Sequence, residues 1–206
     1  MEIKTQNSRV KSQNYKSKLK NPAIRSLNQV KEVLYDQNWA KKALNLPLYY
    51  MYRGIKRKNG LRYDITIIPP KMLGKEFVKT KGHEHKNHFP ELYMVLEGKA
   101  LYLMQKRDKK GAVLDVFAVK AKNGESIIVP EGYGHITINP GFKNLVAANW
   151  ANDKCLSDYG FFERKNGACY YYTRSGWVKN KNYKKVPKLR FEKPLKRAPR
   201  NLDFLK

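Results

Sequence analysis

Apolar and polar positions change period along this chain. Residues 1–20 are dominated by Lys, Ser, Asn and Gln and show no periodicity, so that stretch is read as loose. From Asn21-Pro22, apolar residues recur at Ile24, Leu27, Val30, Val33 and Leu34, a spacing that predicts a short amphipathic helix, with Trp39 and Leu44 continuing its face. After Leu46 the pattern turns to short runs rich in aromatic and β-branched residues: Leu48–Tyr52, Tyr63–Ile68, Val113–Val119, Ser126–Val129, His135–Asn139 and Leu145–Trp150. The apolar stretch Glu91–Gln105 is interrupted at Glu97-Gly98-Lys99, which reads as a hairpin turn. Many short strands separated by Gly, Pro or Asn predict an all-β sandwich or small barrel. After Trp177 the chain is Lys/Pro-rich and is expected to wrap the surface as a tail.

The expected organisation is a basic N-terminal extension over 1–42, a barrel over 43–177 and a basic tail over 178–206. Charge follows the same division. Of 43 Lys/Arg and 17 acids, the first part holds ten against three, the middle twenty-two against twelve and the tail eleven against two. The resulting +26 would steer an anionic substrate. It also admits nucleic acid as a partner of the tails, although no zinc-finger, RRM or helix-turn-helix pattern accompanies it. No apolar run approaches the roughly 20 residues needed to cross a bilayer. The polar N-terminal stretch lacks an apolar signal region, so a cytoplasmic location is expected. Cys155 and Cys169 lack C-x-x-C spacing and read as free thiols.

Four histidines occur in the chain, three of them within His83-Glu84-His85-Lys86-Asn87-His88; the fourth is His135. On a strand, His83 and His85 point to one face. Glu91 follows after Pro90, and a barrel could fold His135 back beside them. Three imidazoles and a carboxylate suit a first-row divalent metal with positions left open for substrate. His88 is expected to lie in the loop without ligating.

Two segments resemble the motifs of the cupin superfamily: His83-x-His85, Glu91 and Gly98 in the first, and Gly124, Pro130-x-Gly132, His135 and Asn139 in the second. The resemblance implies an all-β cupin, a double-stranded β-helix or small barrel, here with a short N-terminal helix and basic terminal extensions. Its metal ligands would be His83, His85, Glu91 and His135.

A closer resemblance lies in Gly74-Lys75-Glu76-Phe77-x-x-Thr80-Lys81-Gly82-His83-x-His85, followed by Pro90-Glu91-Leu92-Tyr93-x-x-Leu96-x-Gly98 and later by Asp158-Tyr159-Gly160. These resemble the cupin-type glucose-6-phosphate isomerases, over about Leu46 to Gly160. The family implies a metal-dependent aldose–ketose isomerase of glucose 6-phosphate and fructose 6-phosphate, working as a homodimer with one divalent ion per chain, Fe(II) first and Mn(II), Ni(II) or Zn(II) next. Carried over by position, Thr66, Thr80 and Gly82 would bind the phosphate, Tyr50 would line the same substrate pocket, and Glu91, Tyr93 and Tyr159 would act at the sugar. The chain departs from the family at Ser157, where a histidine is usual, and at Trp150, where a tyrosine is. Two alternatives stand beside this reading: an isomerase or epimerase of another sugar phosphate, and a non-enzymatic cupin whose tails bind nucleic acid.

Overall fold

The computed structural model describes residues 19–206; the expected loose stretch up to residue 18 lies outside them. Strand β1 (Ala23–Ser26) opens the fold, and two 3-10 turns follow at Leu27–Gln29 and Lys31–Val33. The short helix α1 (Gln37–Lys42) comes after them, capped by Asp36, whose carboxylate accepts from Trp39 N at 3.0 Å. The amphipathic helix expected over Ile24–Leu34 is therefore not formed. Leu27, Val30 and Val33 are three apart, which is the repeat of a 3-10 turn, and all three are fully buried. Upstream of them, Ala23–Ser26 pairs antiparallel with the next strand.

The barrel is built from β2 (Pro47–Lys58), β3 (Leu61–Ile68), β4 (Met72–Leu73), β5 (Glu76–Phe77), β6 (Glu84–His85), β7 (Glu91–Glu97), β8 (Lys99–Arg107), β9 (Val113–Lys122), β10 (Ser126–Val129), β11 (Tyr133–Ile138) and β12 (Leu145–Asn152). Then come β13 (Ser157–Asp158), α2 (Gly160–Arg164), β14 (Tyr170–Thr173), β15 (Gly176–Lys179) and β16 (Arg190–Glu192). One sheet runs β1-β2-β3-β12-β7-β10 and a second runs β11-β8-β9-β16. Tyr102, Leu103, Met104 and Ile136 from the second sheet meet Ile68, Val95 and Leu145 from the first in one apolar core.

Glu97-Gly98-Lys99 is a corner, not a hairpin turn: β7 belongs to the first sheet and β8 to the second. A single residue is too short to reverse the chain, but Gly98 at φ 81° bends it from one sheet into the other. A Cβ there would stand 2.5 Å from the Asn144 carbonyl oxygen.

Both extensions lend a strand to the sheets. β16 pairs in parallel with β9, and Arg190 grips Asp115 through Nη2 at 2.7 Å and Nε at 3.1 Å. Leu195 bridges to Ser126, and Leu205 is buried against Leu61 and Leu92. The expected surface tail is thus a strap, anchored at three points. The N-terminal segment is tied to the barrel by a buried ion pair: Lys79 Nζ donates to Glu76 Oε2 at 2.6 Å and to the Val33 carbonyl at 2.8 Å.

Candidate metal centre

His83 and His135 face each other across an isolated antiparallel bridge, with backbone hydrogen bonds of 3.2 and 3.0 Å between them. His85 is the last residue of β6, and Glu91 opens β7. The turn between them is fixed by the His85 ring, whose Nδ1–H donates to the Phe89 carbonyl at 2.6 Å. That bond leaves the His85 Nε2 lone pair facing inward, as a metal ligand requires. The four side chains converge: one ligand atom from each lies within 4.8 Å of all the others. His88 stays in the turn at φ 60°, outside this group.

The distances fit a shared ion. His83 Nε2 and His85 Nε2 are 3.2 Å apart, and Glu91 Oε2 is 3.3 Å from both His85 Nε2 and His135 Nε2. Ligands about 2.1 Å from one ion, at roughly 90–110° to each other, stand about 3.0–3.4 Å apart. Glu91 Oε2 is buried without a partner in hydrogen-bond geometry. Its other oxygen, Oε1, accepts from Asn149 Nδ2 at 2.6 Å. An orphaned buried carboxylate oxygen aimed at two imidazoles fits a divalent metal.

The electrostatics agree. Burial raises the Glu91 carboxyl, but its close contacts with the His135 and His85 imidazoles outweigh it and hold the group well below its usual range. Burial, followed by the charge of His135, drives His83 well below the usual imidazole value, so that ring is a neutral ligand. For His85, burial acts downward and is overcome by Cys155 and Glu91, which lift it to about 11 in the metal-free chain. Burial, then the Glu91 charge, pushes the Tyr93 phenol well above its ordinary value, so it stays protonated and can donate.

Three of the four ligands, His83, His85 and Glu91, lie in the wall of a cavity of about 60 Å³. Thr66, Thr80, Gly82, Tyr93 and Tyr159 line the same cavity. Thr80 Oγ1 accepts from Thr137 N at 3.0 Å, which leaves its hydroxyl proton free to donate. Gly82 sits at φ 83°, where a Cβ would overlap Ile136 and lie 2.9 Å from Phe162. Tyr93 Oη is 3.2 Å from His135 Nε2, and the rings of Tyr159 and His83 are 5.7 Å apart.

Tyr50 is the expected pocket residue that the structure does not bring in. It is paired between Ile24 and Ile67, and the strand alternation turns Tyr49 inward in its place. Tyr49 lines the cavity, and its hydroxyl accepts from Lys81 N at 3.1 Å. Trp150 packs on Tyr63, with ring centroids 5.0 Å apart, outside the cavity. Ser157 lines it, paired with His85.

Sequence reasoning missed Asn149, Cys155, Arg53, Arg62 and Asp64, which also line the cavity. Asn149 had a signal, an amide inside the apolar run Leu145–Ala151. Arg53, Arg62 and Asp64 had none, since charges along partly exposed strands are ordinary.

Two packed β-sheets carrying three imidazoles and a carboxylate inside define a cupin with a metal centre. Within that class the chain belongs to the glucose-6-phosphate isomerase (GPI) family, whose model matches residues 32–188. The glucose-6-phosphate isomerase of Thermococcus litoralis is 28% identical over 149 residues, covering 69% of this chain and 76% of the relative. That of Pyrococcus furiosus is 26% identical over 163 residues, covering 76% and 84%. Among solved structures, oxalate oxidase in complex with the substrate analogue glycolate overlaps with a TM-score of 0.43 at 14% identity, over 54% of each chain.

Proposed function

We propose that this chain is a metal-dependent aldose–ketose isomerase that interconverts glucose 6-phosphate and fructose 6-phosphate. One observation carries the reading beyond family membership: three of the four convergent ligands, His83, His85 and Glu91, line one cavity with Thr66, Thr80 and Gly82, which together suit a phosphate. A divalent ion held by His83, His85, Glu91 and His135 would polarise the oxygens at C1 and C2 of the open-chain sugar. Its donor set of three nitrogens and one oxygen is compatible with Fe(II), our first choice, and with Mn(II), Ni(II) or Zn(II).

The protein's own groups do the rest. The hydroxyls of Thr66 and Thr80, the Gly82 amide and Tyr49 hold the phosphate. Tyr93, protonated beside His135, donates to a sugar oxygen, and Tyr159 flanks the ring-opened chain. Glu91 carries the proton between C2 and C1. Its carboxylate is ionised at neutral pH and is therefore a ready acceptor, though a weak base that needs an acidified C–H. A homodimer and a cytoplasmic site of action belong to the same reading; no helix among the described residues is long and apolar enough to cross a membrane.

The test is a coupled assay of fructose 6-phosphate conversion on chelator-treated protein, before and after each metal is restored. Turnover that returns with metal and is absent in His83→Ala supports the reading. A folded, metal-loaded protein without turnover sinks it. Ser157 in the cavity wall favours one second reading, an isomerase or epimerase of a different sugar phosphate, which a substrate panel would separate.

A further inference from the structure

We propose that Arg25, carried in by β1, is the guanidinium that holds the phosphate of the substrate, a phosphomonoester dianion. The inference rests on the isomerase reading above. It starts from register. Arg25 and Tyr49 are direct partners across β1 and β2, so their side chains share a face. Tyr49 reaches the Thr80–Gly82 turn through its hydrogen bond from Lys81 N. The Arg25 guanidinium carbon lies 5.5 Å from the centre of the Tyr159 ring. Arg25 therefore lies against two tyrosines that line the cavity, Tyr49 and Tyr159, on the side of the Thr80–Gly82 turn.

Its charge is unanswered. Among the described residues Arg25 forms no ion pair, and its Nε is buried without a partner. Every neighbouring cation has a carboxylate in contact: Lys81 pairs with Glu163 at 2.5 Å, and Arg53 and Arg62 share the single Asp64 at 3.4 and 2.9 Å. A guanidinium with a buried, unsatisfied N–H is costly unless an anion completes it. Its planar fork matches two oxygens of a phosphate. Thr66, Thr80 and Gly82 supply neutral donors only, so Arg25 would add beside them a full positive charge held by no carboxylate among the described residues. The Tyr49 hydroxyl, in reach of the same guanidinium, would join it.

The test uses full-length, metal-loaded protein and the variants Arg25→Ala and Arg25→Lys. In Arg25→Ala, KM for fructose 6-phosphate should rise roughly 10- to 100-fold, as expected for loss of a charge-assisted bond to substrate, with kcat within about threefold. The inhibition constant of inorganic phosphate should rise in parallel. Arg25→Lys should recover part of both. A structural role for Arg25 would instead lower kcat and the melting midpoint together. Inorganic phosphate should also raise the melting midpoint of wild type and not of Arg25→Ala, which is read without turnover. Failure of the isomerase reading, with no turnover in wild type, is thus separable from failure of this one. Unchanged KM and unchanged phosphate response in Arg25→Ala would overturn the assignment; if that variant does not fold, Arg25→Lys with wild-type constants would overturn it equally.

Discussion

Asn149 grips one oxygen of Glu91, its Nδ2 donating to Oε1 at 2.6 Å, and so leaves Oε2 alone to face His85 and His135. The two residues come from neighbouring strands, β12 and β7, so sheet register sets which carboxylate oxygen is free. Outer partners that orient a ligand typically contribute about 10- to 100-fold in metal affinity. Asn149→Ala should weaken divalent-metal binding by that order while keeping the fold. Competition against a chelator measures it, and an unchanged dissociation constant would remove Asn149 from the site.

Much of this was legible in the chain. His83 and His85, alternate on an extended segment, announced a shared face, and the spacing of Gly124, Pro130, Gly132 and His135 announced the return strand. The errors have local causes. Ile24–Leu34 has apolar residues at a spacing common to α and 3-10 turns, and only edge pairing with β2 decided against the helix. Tyr49 and Tyr50 are adjacent tyrosines, so a one-residue difference in register exchanges the pocket face for the outer face. Gly98 looked like a reversal because sequence shows a bend but not which sheet the chain enters next. Asp64, which collects Arg53 and Arg62, became visible only once β2 and β3 were paired.

The strap at residues 190–206 should loosen in acid. Hydrogen bonds from Arg190 outweigh partial burial and hold the Asp115 carboxyl below its ordinary 3.8. A group with a depressed folded pKa contributes stability above its unfolded value and loses it as pH falls through the folded one. Its contribution is therefore complete above about pH 4 and declines as pH falls from there through the lower folded value. Arg190 is half exposed, so the pair's worth is small. The exchange protection of the Arg190–Glu192 amides, taken relative to the intrinsic rate at each pH, should fall on acidification below that point, and Asp115→Asn should show the lowered protection already at neutral pH. Equal exchange in the variant and wild type would mean that the backbone pairing with β9 holds the strap unaided.

Glu76 and Lys79 form the last case, a charged pair with almost no exposure, 0% and 2%. Burial drives both toward neutrality: it raises Glu76 and lowers Lys79, and each partner's charge opposes the shift. The pair has further support. Tyr35 N donates to Glu76 Oε1 at 2.5 Å, and the Tyr171 ring lies 4.7 Å from Lys79 Nζ. Lys79 precedes Thr80, so the pair fixes the segment leading into the Thr80–Gly82 turn and fastens Val33 and Tyr35 to it. Removing one partner strands the other in an apolar surrounding, at a cost of roughly 3–5 kcal/mol, whereas replacing both by well-packed apolar residues is often close to neutral. Lys79→Met and Glu76→Leu should each destabilise by about that amount. The double variant Glu76→Leu/Lys79→Met should recover most of it, although it loses the hydrogen bonds to Val33 and Tyr35. Urea unfolding of the four proteins gives the coupling energy directly. Additive losses in the double variant would show that the two residues act separately, and that the N-terminal segment is held by packing of Leu27, Val30 and Val33 instead.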